Sequence, residues 1–125
     1  MKKLLSTLTL LISLATTAQT FTKHYDHFIK KDRINSEISK EKKINLDVIF
    51  SGNDKGDIIM YFDSTKAERF YKTSKIFSGT SKDNLTYRYI ETLNEKGEKV
   101  VMQLFDNGVF RVHTQDATFE YACKN

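Results

Sequence analysis

The chain predicts an all-β fold. Three observations carry this: period-two alternation of apolar and polar residues from Lys43 onward, turn residues at short intervals, and no stretch that reads as the crossover helix parallel strands require. The expected architecture is a single small antiparallel β-meander of about six to seven strands. A sheet, a sandwich and a partly open barrel all fit that pattern, and a short N-terminal helix is an alternative for the residues before it.

The first strand follows Lys43. Ile44, Leu46, Val48 and Phe50 alternate with Asn45, Asp47 and Ser51. The run Gly52-Asn53-Asp54-Lys55-Gly56 breaks it. Ile58 to Phe62 is apolar at every position, which suggests a central strand covered on both sides. Asp63 to Lys66 reads as a turn. Ala67 to Phe77 reads as a strand, because Thr73 and Ser74 interrupt any helical stripe. Ser78 to Asn84 reads as a polar loop. Leu85 to Leu93 alternates again, with Tyr87 and Tyr89 on one face and Arg88 and Ile90 on the other.

Two hairpins follow. Asn94-Glu95-Lys96-Gly97 fits a type I turn closed by a left-handed glycine. Asp106-Asn107-Gly108 holds an Asn-Gly pair, the favoured centre of a type I′ turn. Strands Lys99–Phe105, Val109–Thr114 and Thr118–Cys123 complete the meander. Leu46, Val48, Phe50, Ile58, Met60, Phe62, Val100, Met102 and Leu104 are the expected core.

Residues 19–42 admit two readings. Phe21, Tyr25, Phe28 and Ile29 share one face of a helix, yet Tyr25, His27 and Ile29 also alternate as in a strand. Lys30 to Lys43 is charge-rich and reads as a solvated face. Ahead of it, Lys2 and Lys3 precede an apolar run, Leu4 to Leu14, and small residues end at Ala18. That is the pattern of a secretory leader. The organisation expected is a signal peptide at 1–18, a polar, basic segment at 19–42 and the β domain at 43–125. The exported product is then periplasmic or extracellular. No later run is long and apolar enough for a membrane helix.

The charge balance narrows the partners. Loss of Lys2 and Lys3 leaves 18 basic against 16 acidic side chains, too weak a bias for a nucleic-acid binder. The lone cysteine, Cys123, excludes an internal disulfide.

Catalytic signals are sparse. His24 and His27 form an H-x-x-H pair, which lies on one face of a helix but on opposite faces of a regular strand. His113 is distant. Asp26 or Asp116 would have to complete a metal set, and no spacing ties these residues together. The serines occupy no nucleophile elbow. The five glycines form no phosphate loop, so no cofactor is expected. What stands out is 15 Phe and Tyr residues without tryptophan. Packing is the first role for strand aromatics. A surface row of Tyr61, Tyr71, Tyr87 and Tyr89 is the candidate interaction site. The functional expectation is a non-catalytic binding module whose partner is an envelope protein, a peptide or a small apolar ligand. The alternatives are a metal-dependent or hydrolytic enzyme built on His24, His27 or His113, and a structural component of an envelope assembly.

Overall fold

The computed structural model describes residues 20–51, 56–63 and 65–124. The expected signal peptide at 1–18 lies outside them. Nine strands and no helix are present among the described residues. In order they are β1 (Thr20–Asp32), β2 (Lys42–Ser51), β3 (Asp57–Phe62), β4 (Lys66–Lys72), β5 (Phe77–Thr80), β6 (Thr86–Leu93), β7 (Lys99–Phe105), β8 (Phe110–His113) and β9 (Ala117–Ala122).

They form one antiparallel sheet in the order β4-β3-β2-β1-β9-β8-β7-β6-β5. A further pairing of β4 with β6 closes it, through Tyr71 opposite Leu93 and Lys72 opposite Thr92. β5 continues along the same side of β6, with Phe77 opposite Tyr89. Between them the backbone N–H of Thr73 donates to Glu91 O (2.9 Å), and Glu91 N–H donates to Ser74 Oγ (3.0 Å). β4 and β5 are therefore one interrupted stave. The sheet is a closed up-and-down barrel, which leaves few free edges. Barrels of this width either fill with side chains or hold one small ligand.

Alternation decides what fills the barrel. Leu46, Val48 and Phe50 from β2, Ile58 and Met60 from β3, and Val100, Met102 and Leu104 from β7 point inward and are buried. They are joined by Phe70, Ile90, Phe110, Val112, Tyr25 and Tyr121. Of the nine expected core residues, only Phe62 is half-buried, and it still packs against this cluster. Thr92 is a fully buried polar side chain of the inner face, and its hydroxyl donates to Val100 O at 2.7 Å.

Four expectations need correction. First, the strands number nine. The expected loop at 78–84 begins as β5, where Phe77 stacks on Tyr89 (5.2 Å) and the Tyr87 ring covers Gly79. Second, residues 20–32 are a strand of the same sheet, so the short helix gives way to the extended alternative. Their helical spacing has a physical cause. A bulge between Tyr25 and His27 adds one residue, so Phe21, Tyr25 and Phe28 all face inward on an extended chain. Third, β3 is covered on one side only: Ile58 and Met60 are buried, while Ile59 and Tyr61 lie half-buried on the outer face. Fourth, Asn107 does not have positive φ, whereas Gly108 does (95°). The turn is type I with a left-handed fourth residue, as at Gly97 (82°). The same two bonds recur three times: Gly97 N to Asn94 O, Gly108 N to Phe105 O and Asn84 N to Ser81 O close the turns, each with a second bond across the strand ends. Asn84 (φ 62°) takes the glycine position in the β5–β6 hairpin.

Candidate functional site

The four tyrosines of the expected surface row all lie on the outer face, but they form two groups. Tyr87 and Tyr89 belong to a chain of rings across β5, β6 and β7. Phe77–Tyr89, Tyr89–Tyr87 and Tyr87–Phe105 centroids are 5.2, 6.0 and 5.2 Å apart. Lys75 sits over Phe77 (5.5 Å) and Arg111 over Phe105 (4.7 Å). Tyr61 and Tyr71 stand apart on β3 and β4. Arg69 lies between them along the outer face and binds Asp57 at 2.7 Å. Tyr71 is 45% exposed beside Leu93.

The histidines do not converge. The bulge turns both His24 and His27 outward, which a regular strand would not allow. Each has its own carboxylate: His24 Nδ1 is 2.8 Å from Asp47 and His27 Nδ1 is 2.6 Å from Asp26. His113 lies two strands from β1, on β8. Its Nδ1 is 2.9 Å from Thr118 Oγ1 and its Nε2 is 2.9 Å from Gln103 Oε1. Burial, then the charges of Arg33, Arg111 and Lys31, holds its pKa below the ordinary value. A neutral ring suits both bonds, donating through one nitrogen and accepting through the other. Cys123 is exposed, with its Sγ 4.0 Å from Asp26 Oδ2. Asp26 Oδ1 also accepts from Lys124 N–H at 2.9 Å, tying the end of the described chain to the β1 bulge. Among the described residues, no group of three or more His, Cys, Asp or Glu side chains is placed to hold a metal ion.

The ends of the barrel differ. At the end bearing Phe21 and Phe50, rings close the interior. Phe21 stacks on Phe50 (5.1 Å), which meets Phe110 edge-on (5.2 Å), leaving about 50 Å³ of space near Lys72 and Arg88. At the other end a cavity of about 310 Å³ opens. Its walls include Phe28, Ile44, Phe62, Phe70, Phe119 and Tyr121, and Glu68, Asn94 and Thr114 supply its polar groups. The Tyr121 phenol is pushed upward by burial and then by Glu68, so it remains a neutral hydroxyl. An apolar cavity of about 150 Å³ accommodates benzene. The wide end has twice that volume and the narrow end much less.

Sequence reading missed this cavity. Its walls read as ordinary inward strand positions. Only the closure through Tyr71 and Lys72 brings β4 and β6 round to complete it. Among the described residues no helix is long and apolar enough to cross a membrane. No family model, curated protein or solved structure matches this chain.

Proposed function

We propose that the chain is an exported, non-catalytic binding domain of the cell envelope or extracellular space, and that it holds a small apolar ligand in the wide end of the barrel. The carrying observation is the 310 Å³ aromatic-walled cavity. A concave apolar site with few polar groups is the usual form of a small-molecule site. The three histidines bond separate partners and converge on no shared centre, which supports a role without catalysis. The leader at 1–18 supports export.

The test is calorimetric titration of the mature protein with 1-decanol, a neutral probe. Saturable one-to-one binding is expected, and Val112→Phe should abolish it by filling the cavity from its wall. Absence of saturable binding, or binding unaffected by Val112→Phe in a folded variant, counts against the reading. The ring chain Phe77–Tyr89–Tyr87–Phe105, flanked by Lys75 and Arg111, favours a second reading. In it, the outer face docks a protein or peptide through an apolar middle and a basic rim.

A further inference from the structure

We infer that the ligand of the wide end is a single-chain amphiphilic anion, a free medium-chain fatty acid whose carboxylate stays at the mouth. This rests on the cavity reading above and adds the ligand's charge. Three wall aromatics have a lysine as their cross-strand partner on the inward face: Phe28 opposite Lys42, Phe62 opposite Lys66, and Phe119 opposite Lys30. Each pair offers an apolar ring to a tail and an ammonium to a head group. Lys30 Nζ already lies over the Phe119 ring, 5.8 Å from its centroid.

The acids near this mouth are Glu68, Asp32, Glu98 and Asp116, and the last two share a surface recess with Lys30, Arg33 and Lys99. Glu68 lines the cavity, and Lys66 Nζ is 3.9 Å from it. Asp32 shares the inward register, but its Oδ1 accepts from Ile34 N–H (2.9 Å) and Asn35 N–H (3.4 Å) in the turn after β1. Neither Lys30 nor Lys42 forms an ion pair among the described residues. The outer face holds cations of both kinds, paired and unpaired. There Arg69, Lys99 and Arg111 each meet an acid at 2.7 Å, namely Asp57, Glu91 and Glu120. Lys31 and Lys43, also outward, form no ion pair among the described residues, so what sets Lys30 and Lys42 apart is their inward register beside the wall aromatics at the rim of the cavity. An apolar interior with a positive rim favours an anion over a neutral molecule of the same shape. Long lysine stems suit this geometry, since they lie along apolar surface and keep the charge in water.

The experiment compares decanoate with 1-decanol by calorimetry on the mature wild-type protein and on Lys30→Met/Lys42→Met. Methionine keeps the apolar stem and removes the charge. Decanoate is expected to bind the wild type about tenfold more tightly than 1-decanol at low salt, and this preference should shrink in 0.5 M NaCl because the rim is exposed. In the double variant the preference is expected to fall to about threefold or less. Unchanged decanol affinity there serves as the check on folding. Equal affinity for the two probes in the wild type, or a preference that survives both the double substitution and salt, overturns the inference and leaves the cavity reading standing. Binding of neither probe overturns both.

Discussion

Tyr25 is a buried residue with an unmet need. It is 2% exposed, between the rings of Phe110 and Tyr121, and its hydroxyl has no hydrogen-bond partner among the described residues. Burial pushes its phenol pKa upward, so the group stays protonated without being satisfied. An unpaired buried hydroxyl costs about 1–3 kcal/mol. Tyr25→Phe keeps the ring and removes that cost, so urea unfolding should show a gain of about 1 kcal/mol. A loss of stability would reveal that the hydroxyl makes a bond after all. His113 gives a prediction in pH. Its folded pKa lies below the ordinary value near 6.5, so the unfolded chain takes up the proton first as pH falls. Its stabilising effect is fully present above about pH 6.5 and is lost on acidification below it. Between about pH 7 and pH 5 the wild type should therefore lose stability more steeply than His113→Gln. Parallel slopes for the two proteins would remove His113 from the titration.

At the scale of elements, β5 shows how a strand can escape a sequence reading. Ser78, Gly79 and Thr80 have loop composition, and only Phe77 looks like a strand residue. What holds the segment is β6 beside it. Tyr87 crosses to cover Gly79, so closely that a Cβ built there would lie 2.6 Å from the ring. Gly79→Ala should therefore destabilise by about 1 kcal/mol, because the ring must move aside. In a Tyr87→Ala background the same change should cost much less, and the coupling can be read from a double-mutant cycle. An equal cost in both backgrounds would mean that the glycine is needed for its backbone. The hairpins were more legible. Gly97 and Gly108 lie in the left-handed region as their positions require, whereas the turn type at Asn107 was not readable from the dipeptide alone. β1 misled through its bulge, which gives an extended chain the apolar spacing of a helix.

Across the whole molecule, alternation identified the inner face of β2, β3 and β7, because a one-residue slip would expose an entire apolar set. It could not show that the sheet closes. Closure depends on β4 meeting β6, and those residues, Tyr71, Lys72, Thr92 and Leu93, have nothing in their local sequence that names one another. The candidate site was hidden for the same reason. Phe28, Phe62 and Phe119 are far apart in the chain and converge only in the ring, while the tyrosines singled out beforehand all lie outside it. The manner of closing also has a kinetic consequence. A ring held by extended ladders elsewhere is fastened between β4 and β6 by two residue pairs and by the bonds of Thr73 and Ser74 to Glu91 just beyond them. That join is a clasp. Parting it takes less free energy than unfolding the barrel. Any small molecule held inside would then have a route through the wall as well as through the wide end, and its residence time would follow the clasp and not the stability of the whole.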